Sequence, residues 1–150
     1  MYLTIIMDLA DWKIIGWALS NSLKVDQTVM PARRMAVINR PINQDLIFHS
    51  DRGVQYSCSV FASFLGTYQK VSRSMSRKGD CWDNAVAESF FKTIKSELIN
   101  HYKFSTWIQA KRAIFEYIEM WYNRKRKHSA LGYLSPEEYE VKLLQIRNVA

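Results

Sequence analysis

Two short apolar runs near the amino terminus constrain the fold more than any other feature of the chain. Tyr2-Leu3-Thr4-Ile5-Ile6-Met7 is rich in β-formers and lacks clean alternation, the pattern of a strand covered on both faces. Asp8-Leu9-Ala10-Asp11 suits a turn, and Lys13 to Leu19 resumes as a second strand, so an antiparallel hairpin is predicted. A helix follows over about 26–38, with Asp26 as N-cap and Pro31 either in its first turn or kinking it. Pro41 to Gln44 is a loop. Leu46-Ile47-Phe48 predicts a brief buried strand ending at His49-Ser50-Asp51. Then come a helix from Ser57 to about Tyr68, a short strand from Val71 to Met75, and a polar connection at Arg77-Lys78-Gly79-Asp80.

Two longer helices are predicted at about 83–100 and 106–123. The second places Trp107, Ala110, Ile114, Ile118 and Trp121 on one face. A basic tail, Arg124-Lys125-Arg126-Lys127-His128, leads to Ser135-Pro136-Glu137-Glu138. That quartet is a capping box with proline at the first helical position, and it predicts a last short helix. The element order is that of a mixed α/β fold in one domain, and 150 residues with 48% hydrophobic composition can bury a core.

The net charge of +7 favours an acidic partner, nucleic acid being the commonest. The same charge also suits a merely soluble basic protein. Cys58 and Cys81 form neither a metal motif nor a disulfide framework, and buried thiols in a reducing cytosol are the expectation. No run approaches the roughly 20 apolar residues of a membrane span, and no signal peptide is recognisable, so the expected location is cytoplasmic.

The predicted helix at 83–100 has two unlike sides. At about 100° per residue, Val86, Phe90, Ile94 and Leu98 gather on one, while Asn84, Glu88, Lys92 and Lys95 gather on the other. A solvated face with a Glu–Lys pair worth about 0.2–0.5 kcal/mol has this pattern. So does a metal-binding carboxylate flanked by lysines that hold a DNA phosphate. Asp51 stands just after a buried strand, where side chains at a sheet's carboxyl end meet ligands. It also suits a turn aspartate that caps a local amide.

Taken together the motifs are more specific. His49-Ser50-Asp51-Arg52-Gly53-Val54-Gln55-Tyr56 resembles the second-aspartate motif of insertion-sequence transposases with a retroviral-type integrase core. Ser74 to Ala85 resembles the loop before their catalytic helix, and Ala87 to Glu97 resembles that helix. Tyr122-Asn123, Arg126, His128 and Leu131-Gly132-Tyr133-Leu134-Ser135-Pro136 resemble their carboxyl-terminal signature.

The resemblance implies a ribonuclease-H-like mixed sheet flanked by helices, with a helical carboxyl-terminal part. Residues 1–123 would be core, and 124–150 a basic tail and short terminal helix. It implies phosphoryl transfer on double-stranded DNA with two Mg²⁺ or Mn²⁺ ions, hard cations suited to oxygen ligands. Asp51 and Glu88 would be the second and third metal-binding carboxylates. Lys92 and Lys95 would grip the element's terminal DNA, joined by Arg77, Lys78, Asn84 and the cluster Arg124, Lys125, Arg126 and Lys127. A homo-oligomer is implied, with a helix-turn-helix segment upstream or on another polypeptide.

The match departs from the pattern at its start. The family's first carboxylate lies in a Thr-Asp pair upstream of the segment resembling Tyr2-Leu3-Thr4, so the first strand and its aspartate are expected to be missing. Asp8 aligns instead with the end of the family's second strand and is expected to serve the turn. Asp11-Trp12 replaces a usual Ser-Arg, and thirty-six residues lie between Asp51 and Glu88, one more than is usual. A chain of this kind is expected to be catalytically defective. Its alternative is a non-catalytic DNA-binding or oligomerising remnant.

Overall fold

The computed structural model describes residues 1–51, 63, 66, 70–75 and 84–149. The expected helix at 57–68 (Ser63 and Gly66, both helical, apart), the loop carrying Arg77 and Lys78, and both cysteines lie outside these residues. The chain forms two compact units, residues 1–6 with 15–88, and residues 7–14 with 89–150.

In the first unit, β1 (Tyr2–Met7) pairs with β2 (Ile14–Ser20) in a two-stranded sheet. The connection between them is too short for a parallel crossover, which fixes the pair as a hairpin. Helix α1 (Val29–Asn39) starts at Val29 rather than near 26, so Asp26 is not its N-cap. Residues 25–28 are instead a turn, in which Gln27 N–H donates to the Lys24 carbonyl at 3.0 Å. Thr28 occupies the N-cap position, but its hydroxyl donates back to the Lys24 carbonyl at 2.8 Å. Pro31 therefore sits in the first turn, where its missing N–H leaves no bond unmade.

Gly16 sets the distance between β2 and α1. A Cβ there would stand 2.0 Å from the Ala32 carbonyl oxygen and 2.9 Å from the Ala36 Cβ. Only glycine admits this approach. Strands β3 (Leu46–Ser50) and β4 (Val71–Met75) pair in parallel, with His49 opposite Ser74. The His49 Nδ1 and Ser74 Oγ are 3.0 Å apart, so His49 serves the sheet. Val29 packs against Val25, Phe48 and Val71, joining α1 to this second strand pair.

Residues 89–149 of the second unit are mainly helical, and the helix that enters it begins in the first unit. Helix α2 (Ala85–Glu97) is shorter than expected and ends in a 3-10 turn at Ile99–His101. Helix α3 (Trp107–Phe115) is capped by Thr106, whose hydroxyl accepts from Gln109 N–H at 3.2 Å. It then widens into a π-helical stretch, Glu116–Tyr122. That stretch revises the expected buried face. Ala110, Ile114 and Ile118 are buried, but Trp107 is 37% and Trp121 46% exposed. A π turn brings residues five apart into line, so Tyr117 and Tyr122 turn inward, as do Ile118 and Asn123.

The predicted capping box is present: Ser135 N–H donates to Glu138 Oε2 at 2.7 Å, and Glu138 N–H to Ser135 Oγ at 3.3 Å. The helix it starts, α4 (Pro136–Val149), has 14 residues and is longer than the short helix expected.

Candidate functional site

Helix α2 carries the centre of the candidate site. Phe90, Ile94 and Leu98 are buried, so the apolar side of the helix faces protein as its spacing requires. Glu88, Lys92 and Lys95 are all exposed on the other side. None of the three enters an ion pair among the described residues. Asn84 lies just before the helix and is half-buried. Asp51 follows the last residue of β3 and is exposed, at the carboxyl end of the parallel pair.

Glu88 and Asp51 offer hard oxygen donors suited to Mg²⁺ or Mn²⁺. Among the described residues, however, no group of three or more His, Cys, Asp or Glu side chains could hold a metal ion. The donor chemistry fits, with two carboxylates named here. Asp8 serves its own turn: its Oδ1 accepts from Ala10 N–H at 2.8 Å, and its N–H donates to the Lys13 carbonyl at 2.9 Å.

Nine residues beyond Glu88, and so about 180° around the helix, Glu97 does the opposite job. Its Oε1 accepts from Arg126 Nε at 2.9 Å and lies 2.8 Å from Nη2. Its Oε2 accepts from the Tyr117 hydroxyl at 2.7 Å and from Trp121 Nε1 at 3.3 Å. Burial pulls the Glu97 carboxyl upward, but its bonds to Arg126 and Tyr117, the Arg126 charge and the Trp121 bond together hold it below the usual range. Burial in turn raises the Tyr117 hydroxyl, with Glu97 adding to the effect. Sequence reasoning missed this anchor. The available signal was a carboxylate near the packed side of a helix, which requires partners.

Arg126 also reaches His128, with Nη1 3.3 Å from Nδ1. A guanidinium only donates, so Nδ1 accepts and the ring proton sits on Nε2. That Nε2 is buried without a hydrogen-bond partner among the described residues. Tyr122 and Trp12 meet the ring edge-on, with centroids at 5.0 and 5.6 Å. Burial first, and the Arg126 charge second, lower the His128 pKa to about 4. The histidine is neutral and structural.

Another residue of the carboxyl-terminal signature is also internal. Asn123 behaves like a neighbouring strand toward Ile14, accepting its N–H and donating to its carbonyl, both at 2.9 Å. Lys13 pairs with Glu140 at 2.6 Å. Of the basic tail, Arg124 lies 3.7 Å from Glu137, and Lys127 donates to both oxygens of Glu138. Those bonds, with the Ser135 amide, lower the Glu138 carboxyl to about 2. Lys125 has no such partner among the described residues.

Comparison with known proteins shows what the chain is similar to. Residues 69–136 match the integrase core domain family. The chain is 43% identical over 140 residues to the transposase for insertion sequence element IS904 of Lactococcus lactis, covering 93% of this chain and 54% of that protein. It is 39% identical over 144 residues to transposase InsF for insertion sequence IS3A of Escherichia coli, covering 96% of this chain and 49% of that one. The chain is therefore similar over nearly its whole length to insertion-sequence transposases, and over residues 69–136 to the integrase core domain. It spans about half the length of the curated relatives it matches.

Proposed function

We propose that these residues form part of a catalytic core that cuts and joins DNA by phosphoryl transfer at the ends of a mobile element. The observation that carries this reading is the exposed stripe of Glu88, Lys92 and Lys95 on α2, set opposite the packed side of that helix. On this reading the two strand pairs are pieces of a ribonuclease-H-like sheet, with Asp51 at its carboxyl end. Asp51 and Glu88 are two of the metal-binding carboxylates. Divalent metal, when bound, supplies activation of the attacking oxygen and charge stabilisation of the leaving one.

The chain's own side chains do the holding. Lys92 and Lys95 take backbone phosphates and so position DNA without reading its sequence. Arg77, Lys78, Asn84 and Lys125 are further candidates for phosphate contact, while Arg124, Arg126 and Lys127 contribute only if their carboxylate partners release them. The whole protein acts on double-stranded DNA as a homo-oligomer in the cytoplasm. No helix among the described residues is long and apolar enough to cross a membrane.

The 150-residue chain alone is proposed to be defective, because two carboxylates hold at most one ion securely. The test is a strand-transfer assay with Mn²⁺ and labelled element ends, comparing this chain with one extended upstream through a Thr-Asp strand. Activity is expected in the longer chain only, and Asp51→Asn or Glu88→Gln should each lower it by at least about a hundredfold. Unchanged joining by either variant would sink that residue's role. Equal activity from both lengths would refute the need for a further carboxylate. DNA binding without joining at either length would favour a non-catalytic remnant.

A further inference from the structure

Two non-glycine residues among those described have positive φ, Trp12 at 62° and Tyr133 at 61°. The left-handed region is disfavoured for such residues because Cβ crowds the following carbonyl oxygen. At Trp12 packing offsets the strain, since its ring stands edge-on to His128 at 5.6 Å and 82°. Tyr133 has no such compensation. It is 73% exposed and makes no ring contact among the described residues.

The backbone beneath Tyr133 is nevertheless held from several sides. Tyr133 N–H donates to the His128 carbonyl at 2.9 Å, and Leu131 N–H to the same carbonyl at 3.0 Å. Gly132 N–H donates to Ser129 at 3.0 Å, and His128 N–H to the Leu134 carbonyl at 3.1 Å. Leu131 and Ser135 are buried on either side. Gly132, also left-handed at φ 67°, completes a hydrogen-bonded loop that leaves the Tyr133 side chain exposed. The loop follows the basic segment in which Lys125 is exposed and Arg124 has, among the described residues, a single ion pair at 3.7 Å.

Such strain persists where the surroundings enforce it, and it clusters at functional positions. Packing does not use this ring, and glycine or asparagine would suit the backbone better. An exposed aromatic face in a basic stretch of chain is the chemistry that recognises unpaired nucleic-acid bases, because every base offers a π-face. Bases inside an intact duplex are stacked and out of reach.

Building on the DNA reading above, we propose that Tyr133 stacks on an unpaired DNA base, while Lys125 and Arg124 take neighbouring phosphate. The test measures binding of the 150-residue chain, at one salt concentration, to a blunt duplex and to the same duplex with a short single-stranded overhang. Parent, Tyr133→Phe, Tyr133→Gly and Tyr133→Asn are compared, each with a thermal melt.

The parent should prefer the overhang. The Gly and Asn variants should lose about tenfold of overhang affinity and bind the blunt duplex unchanged. Their melting temperatures should be no lower than the parent's, and the Phe variant should bind like the parent. Overhang preference retained by the Gly and Asn variants would overturn the proposal. So would a melting point several degrees lower in both, which would mean that the ring is kept for packing. Blunt-duplex binding with no overhang preference in the parent sinks this inference alone, whereas binding to neither DNA sinks the DNA reading with it.

Discussion

Lys92 and Lys95 on α2 carry the same charge as the cations of the basic tail, yet the two regions use that charge differently. The α2 lysines are exposed and enter no ion pair among the described residues. In the tail, Arg124, Arg126 and Lys127 face Glu137, Glu97 and Glu138 in turn. Two of those carboxylates lie in the first turn of α4 and the third on α2. A cation already paired with protein has less to gain from a phosphate. Formal charge along a sequence therefore overstates the phosphate-binding surface, and the α2 stripe is the more available half.

The sharpest way to break that comparison is to remove Arg126. If it is an internal anchor, Arg126→Ala or Glu97→Ala should cost about 2–3 kcal/mol in urea unfolding, because each leaves a partly buried charge unpaired. The salt dependence of DNA binding should stay the same in Arg126→Ala. Unchanged stability with a shallower salt slope would make Arg126 a phosphate ligand after all.

The next effect is in pH. The unfolded His128 takes up a proton near 6.5, but the folded one only near 4. Stability from the neutral ring is therefore complete above about 6.5 and falls as pH drops toward 4, by on the order of 2 kcal/mol. The Glu97 and Glu138 carboxyls, ordinarily near 4.5 and lowered here, lose their contribution only below that value. The interval from 4.5 to 6.5 thus isolates the histidine. His128→Phe should flatten stability-versus-pH curves there, and an undiminished slope would assign it to another group.

The smallest change in stability is expected from the lysines. Lys92→Ala with Lys95→Ala should leave stability within about 0.5 kcal/mol while shallowing the log–log salt slope of duplex binding by up to about two. Arg124→Ala with Lys127→Ala should be similarly mild for stability, with a smaller slope change. A reversal of that order would mean that the tail opens on DNA.

Local chemistry was legible where neighbours in sequence supply the partners. The hairpin, the Ser135–Glu138 capping box and the two-sided α2 follow from spacing alone, and Asp8 serves its turn as expected. The helix at 106–123 was read with one period throughout, and its π-helical end turned Trp121 outward and Tyr117 and Tyr122 inward. Helix α1 began later than Asp26 suggested because Thr28 bonded backward to Lys24. Asp51 and Glu88 were named through the order of motifs, since neither carboxylate is distinctive by itself.

By itself the sequence determined which residues can cap, turn, span a strand or offer a carboxylate, and its motif order carried the resemblance to insertion-sequence transposases. Only the tertiary structure decided which charges were already answered. Glu97 meets Arg126 across 29 positions and Asn123 meets Ile14 across 109. Side-chain identity limits the bonds a group can make, but only the folded backbone brings a distant partner within the roughly 3 Å that a hydrogen bond requires.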